Sequence, residues 1–69
     1  MSYARRKVLH ALLRRGFVVL REGGRHTILR DREGRQIAVP RHDELKRGTV
    51  RSIAEDAEVD WDQFKGEIS

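Results

Sequence analysis

The 69-residue chain contains no cysteine, and proline, tryptophan and methionine occur once each. Without cysteine it can form neither a disulfide framework nor a zinc–thiolate site. No apolar run approaches the roughly 20 residues that a transmembrane helix needs, so no membrane partner is predicted. Arg14 and Arg15 follow the short apolar stripe near the N-terminus, where a signal peptide needs small residues. We therefore expect a soluble, cytoplasmic protein that folds as one domain over residues 1–69.

Positive charge is concentrated in the first part of the chain. Residues 1–41 contain 11 basic and 3 acidic side chains, a balance of +8, whereas residues 42–69 contain 4 and 8, a balance of −4. Twelve of the 15 basic residues are arginine, whose planar guanidinium suits phosphate. This pattern favours a nucleic-acid partner. Charge alone favours equally a surface laced with ion pairs, as in thermophilic proteins.

The periodicity of apolar residues predicts the order of the secondary structure. Apolar side chains at helical spacing predict a helix over residues 3–15 that stops at Gly16. Three runs rich in β-branched residues predict strands at residues 17–22, 26–31 and 35–40. A second helix is predicted over residues 49–57. The expected fold class is α+β in the order α-β-β-β-α, with a three-stranded antiparallel sheet and both helices on one face.

The register of the third strand depends on the length of the turn that precedes it. A three-residue turn around Gly34 shifts the third strand by one residue relative to a two-residue turn. The two-residue turn would place these side chains on one face: Phe17, Val19, Ile28, Ile37 and Val39. Residues 41–49 are interpreted as a polar connection. Asp60 followed by Gln63 resembles a capping box, which predicts one more short helical turn whose Trp61 and Phe64 close the core.

His26 lies at the start of a predicted strand, in the stretch "REGGRHTILRD". The three histidines lack metal-ligand spacing, and the chain has neither a nucleophile elbow nor a phosphate loop, so no metal or cofactor is predicted. Metal-free acid–base chemistry remains, because imidazole exchanges protons near neutral pH and RNA supplies its own 2′-hydroxyl nucleophile. Gly23 and Gly24 leave room for a polyanion beside the backbone. The alternative, and the commoner case for an isolated histidine, is an ordinary half-exposed strand residue.

Four short motifs in a fixed order resemble those of the HicA family of bacterial and archaeal toxins. They are "LLRRGF" at 12–17, "GRH" at 24–26, "VPRH" at 39–42 and "KRGTV" at 46–50. The resemblance covers residues 7–64 and ends with Phe64. It implies a fold like that of double-stranded-RNA-binding domains, toxin activity through cleavage of mRNA, and a cognate HicB-like antitoxin that covers the active histidine.

The resemblance assigns the catalytic role to His26. Arg25 occupies the position before it, where the family usually has serine. His42 matches a recurrent histidine of the family, and we expect it to have a structural role in the turn after Pro40. The residues predicted to bind the RNA backbone are Gly24, Arg25, Arg30, Arg41, Lys46 and Arg47.

Three functions are therefore compatible with the sequence. The first is a metal-independent ribonuclease toxin of a type II toxin–antitoxin system, acting by histidine acid–base catalysis. The second is a non-catalytic RNA-binding module of similar fold, since the same charge and topology serve both. The third is an interaction protein whose basic face meets an acidic partner.

Overall fold

Two small antiparallel sheets and three helices make up the fold, and a computed structural model describes all of residues 1–69. In chain order the elements are β1 (Ser2–Ala4), α1 (Arg5–Arg14), β2 (Val18–Glu22), β3 (His26–Arg30), β4 (Gln36–Pro40), β5 (Glu44–Lys46), α2 (Arg47–Asp56) and α3 (Trp61–Ile68). Strands β2, β3 and β4 pair in that order, and β1 pairs with β5. The predicted α+β class and α-β-β-β-α order are confirmed, with β1 and β5 as additions and the expected C-terminal helical turn extended to the helix α3. None of the helices has the length and apolarity to span a bilayer.

The hydrophobic core lies on one face of the three-stranded sheet. Thr27 and Leu29 of β3 and Ile37 and Val39 of β4 are buried, whereas Ala38 between the last two is exposed. This alternation gives the sheet one covered face and one open face. Helices α1 and α2 both cover this face. Their buried side chains are Val8, Ala11 and Leu12 from α1 and Val50, Ile53 and Ala54 from α2.

A three-residue turn, residues 32–34, joins β3 to β4. The Asp31 N–H donates to the Arg35 carbonyl at 3.1 Å, and Gly34 adopts a φ of +91° that favours glycine. Leu29 therefore lies opposite Ile37, and Ile28 lies opposite Ala38 on the other face. The two-residue alternative, which grouped Ile28 with Ile37, is wrong.

Strand β2 forms an exposed edge of the sheet. Val18, Val19 and Leu20 are 61%, 49% and 46% exposed, although the two-residue alternative placed Val19 with the core. The pairing with β3 shifts between Val19 and Arg21, so Leu20 is an extra residue in a bulge. Phe17, just before the strand, is buried as predicted. Helix α2 packs on β4 at the other edge, which explains why β2 receives less cover.

The segment predicted as a polar connection, residues 41–49, contains a strand and the start of a helix. In β5, Leu45 pairs with Tyr3 of β1, and both side chains are buried. Helix α2 begins at Arg47, two residues before the predicted start. A three-residue strand is too short to give a periodic signal in the sequence, which explains why β1 and β5 were not predicted.

The predicted C-terminal turn is a helix of eight residues, α3. The Gln63 N–H donates to the Asp60 carboxylate at 3.2 Å, which confirms the predicted cap. Phe64 is fully buried, as predicted, and Trp61 is half-buried with its ring edge-to-face to Tyr3 at 6.2 Å. Helix α3 thus completes the core.

Leucine-to-alanine substitutions on two neighbouring strands should differ in their effect on the free energy of unfolding, because one leucine lies on the buried face and the other on the open edge. Leu29 is fully buried, so Leu29→Ala should lower the free energy of unfolding by about 2–5 kcal/mol. Leu20→Ala removes the same atoms at the exposed bulge and should cost about 1 kcal/mol or less. Urea denaturation measures both, and equal losses would contradict the position of the core.

Asp31 fixes the β3–β4 turn through three contacts. Its Oδ1 accepts the N–H groups of Glu33 at 3.0 Å and Arg35 at 2.9 Å, and its Oδ2 pairs with Arg35 Nε at 3.0 Å. Burial by itself raises the pKa of Asp31, but the backbone bonds and the Arg35 charge outweigh it and lower that pKa below its ordinary value.

Because the folded state holds Asp31 as a carboxylate, this residue stabilises the fold above the pKa of an unfolded aspartate, about 3.9. That stability is lost as the pH falls through the lower pKa of the folded state. Asp31→Asn should therefore be less stable than the parent at pH 7, and the difference should shrink as the pH falls below about 4. Urea denaturation at pH 7, 5 and 3 tests this, with Asp43→Asn as an exposed control. A difference that stays constant across the range would contradict the prediction.

Candidate active site

A cleft of about 510 Å³ opens at one end of the three-stranded sheet. The β2–β3 turn, the end of β4 and the first turn of α2 meet there. Its lining residues are Gly24, Arg25, His26, Pro40, Arg41, His42 and Thr49. This set is called the histidine cleft below, because two of the three histidines of the chain line it.

A tight turn presents His26 to the cleft. The Gly23 N–H donates to the His26 carbonyl at 2.9 Å, so only Gly24 and Arg25 lie between the paired residues. A Cβ added at Gly24 would meet no atom within 4 Å, so the space beside this backbone is open. The next residue, Thr27, turns into the core, and the His26 side chain is left exposed. A nucleotide therefore has access to the imidazole.

His42 lines the same cleft, on a backbone that is anchored on both sides. The Arg41 N–H donates to the Arg25 carbonyl at 3.0 Å, and the Asp43 carbonyl accepts the Arg5 N–H at 2.9 Å. The His42 side chain is exposed, and neither it nor the His26 side chain makes a hydrogen bond within the protein. The sequence predicted a structural role for His42 in the turn after Pro40, and the structure adds that this exposed residue lines the cleft.

The cleft is suited to a phosphate. Arg25 and Arg41 line it, no carboxylate does, and the Arg41 guanidinium is held by the Gly23 carbonyl at 3.2 Å. Helix α2 begins beside it, and the cap residue Lys46 has no side-chain hydrogen bond to the first turn. Thr49 of that turn lines the cleft, so the positive end of the helix dipole contributes to the same field.

The structure brings four of the predicted site residues together and separates three. Gly24, Arg25, His26 and Arg41 all line the histidine cleft. Arg30 lies at the far end of β3, opposite Val18 and Gln36. Lys46 pairs with Ser2 in the small sheet, and the Arg47 guanidinium lies 6.0 Å from the centre of the Trp61 ring. These three residues belong to other surfaces.

Arg5 connects two strands next to the cleft by hydrogen bonds, and it was not identified as a site residue from the sequence. Its Nε donates to the Pro40 carbonyl at 2.9 Å, and its Nη2 donates to the Thr27 hydroxyl. Thr27 in turn donates to the Glu22 carboxylate at 3.1 Å. Arg5 and Arg6 are identical in type and adjacent in a basic helix, so no local signal distinguishes the supporting residue from its exposed neighbour.

Comparison with known families agrees with the motifs. The family described as the HicA toxin of bacterial toxin–antitoxin systems matches residues 5–59, most of the chain. No curated protein matches it. The chain therefore belongs to the HicA toxin family, and as a toxin of a toxin–antitoxin system it has an antitoxin as its partner. No group of three or more His, Cys, Asp or Glu side chains is arranged to hold a metal ion.

Removing the Thr27 hydroxyl should weaken the support beneath the cleft. Thr27→Val keeps the volume but leaves the Arg5 guanidinium and the Glu22 carboxylate each short of one partner. We expect the free energy of unfolding to fall by about 1–3 kcal/mol in urea denaturation. Thr49→Val is the matched control, because Thr49 is half-buried and lies outside the Arg5–Thr27–Glu22 network, and it should change stability by no more than about 0.5 kcal/mol. A control variant as unstable as Thr27→Val would contradict this account of the support.

Proposed function

We propose that this member of the HicA toxin family is a metal-independent endoribonuclease that cleaves mRNA and so inhibits translation and growth. The observation that carries the proposal is the exposed His26 imidazole in a cleft that contains guanidinium groups and no carboxylate. A group that takes a proton from RNA must be open to a nucleotide, and the groups around it must tolerate a phosphate.

His26 acts on the 2′-hydroxyl beside the bond that is cut. The imidazole accepts the hydroxyl proton while the 2′-oxygen attacks the adjacent phosphorus, which gives a 2′,3′-cyclic phosphate and a free 5′-hydroxyl. Arg25 and Arg41 stabilise the charge that develops on the non-bridging oxygens, together with the N-terminal end of α2. RNA brings the nucleophile, so this reaction needs only residues of the cleft.

We propose that the whole chain forms one HicA-like domain. Phe64 and Ile68 of α3 join the core formed by α1, α2 and the sheet, which supports a single unit over residues 1–69. We propose that the antitoxin partner is HicB-like and occupies the histidine cleft. Such an antitoxin would neutralise the toxin by competing with mRNA in the cytoplasm.

Substitution of His26 tests the proposal. His26→Ala should reduce cleavage of a labelled RNA by at least about 100-fold, since positioned acid–base groups contribute factors of about 10²–10⁴. His10→Ala is the matched control, because His10 is exposed on α1 and does not line the cleft. The measurement is RNA cleavage in the presence of a metal chelator, with growth after induction as the cellular readout.

The same experiment separates the ribonuclease from a non-catalytic RNA-binding module. Both should bind RNA more weakly as salt rises, because both release counterions from phosphate. Only the ribonuclease gives products with 2′,3′-cyclic phosphate ends, and only its products disappear in His26→Ala. If the parent binds RNA without cutting it, or if His26→Ala cuts at the parental rate, the catalytic proposal fails.

A further inference from the structure

We propose that His42 is the second catalytic group, the acid that protonates the leaving 5′-oxygen. This inference rests on the proposed ribonuclease function and adds to it the group that completes the proton transfer. It starts from the placement of His26 and His42 on the wall of one cleft, across the paired ends of β3 and β4.

Elimination among the lining side chains leads to His42. Besides the two imidazoles, the cleft offers two guanidinium groups and one threonine hydroxyl, with no carboxylate, amine or phenol. A guanidinium stays protonated in proteins and is therefore a poor proton donor, and an aliphatic hydroxyl is a weak acid. Imidazole is the side chain that both gives and takes protons near neutral pH. With His26 as the base, His42 is the acid that remains.

The backbone holds His42 at the same end of the sheet as His26. Its neighbours Arg41 and Asp43 are tied to Arg25 and Arg5 by the two hydrogen bonds at 3.0 and 2.9 Å. His26 lies opposite Pro40, so His42 follows that pair by two residues at the same end of the sheet. The backbone of His42 is fixed, and its side chain makes no hydrogen bond within the protein, so both ring nitrogens are free to contact a substrate.

The two histidines together account for both proton transfers of the reaction. The bond from the 2′-oxygen to phosphorus forms while the bond from phosphorus to the 5′-oxygen breaks. The neutral His26 imidazole receives the proton of the 2′-hydroxyl, and the His42 imidazolium gives its proton to the 5′-oxygen. One proton enters the protein and one leaves it, so exchange with water restores both rings and no other reactant is required.

A substrate whose leaving group needs no acid tests the assignment. The cut site of the parent protein is mapped first, and an RNA with sulfur in place of the bridging 5′-oxygen at that site is then prepared. A thiolate leaves without protonation, so an acid is needed for the oxygen substrate only. The variants are His42→Ala and the more conservative His42→Gln, with His26→Ala and His10→Ala beside them, and far-UV circular dichroism and urea denaturation verify folding.

On the oxygen substrate, His42→Ala and His42→Gln should cleave at least about 100-fold more slowly than the parent. On the sulfur substrate both should approach the parental rate. His26→Ala should be slow on both substrates, because the 2′-hydroxyl still needs a base, and His10→Ala should match the parent on both.

Two results would overturn the role of His42. The first is a His42 variant that folds and is equally slow on both substrates, which would indicate binding or positioning. The second is a His42 variant that cleaves the oxygen substrate at the parental rate. In either case an inactive His26→Ala would leave the ribonuclease proposal intact, whereas a parent that cuts neither substrate would end both proposals.

Discussion

The side chain of Arg5 connects the segments on which the histidine cleft depends. The guanidinium donates to the Pro40 carbonyl on β4 and to the Thr27 hydroxyl on β3, and the backbone N–H of Arg5 donates to the Asp43 carbonyl. These contacts add to the backbone hydrogen bond from Gly23 to His26, which closes the turn before β3, and to the one from Arg41 to Arg25, which joins that turn to the segment after β4. A guanidinium has five donors in a rigid fork, so one half-buried arginine at the start of α1 can hold both.

The two interpretations of the charge pattern apply to different ends of the sheet. Successive turns of an antiparallel meander lie at opposite ends, so the β3–β4 turn is remote from the cleft. At that remote end Arg35 pairs with Asp31, Glu33 and Glu58, within 3.0 to 3.5 Å. The histidine cleft at the other end is lined by two arginines and by no carboxylate. Ion pairs therefore stabilise one end of the molecule, and the unneutralised charge at the other end is available to a polyanion.

Local patterns in the sequence predict what depends on neighbouring residues. Helical spacing predicts α1, β-branched runs predict β2 to β4, and the glycine turn directs attention to His26. Long-range contacts decide the rest: β1 pairs with β5 across some forty residues of chain, and Arg5 meets Pro40 over a separation of 35. The exposure of β2 follows from its edge position and bulge, which composition does not reveal. His42 was predicted as a turn residue because its distance from His26 in the fold is invisible in the chain.

The position of the cleft also explains how so small a domain can accommodate a site without weakening its core. The fifteen core residues lie between the helices and one face of the sheet, whereas the lining of the cleft comes from a turn, a strand end and the first turn of a helix. Neither His26 nor His42 is part of the core, so neither imidazole has to be desolvated on folding. RNA brings its own nucleophile, and the protein has only to hold two exposed rings and two guanidiniums on anchored backbone. A separation of this kind lets cleft residues change without a cost in packing.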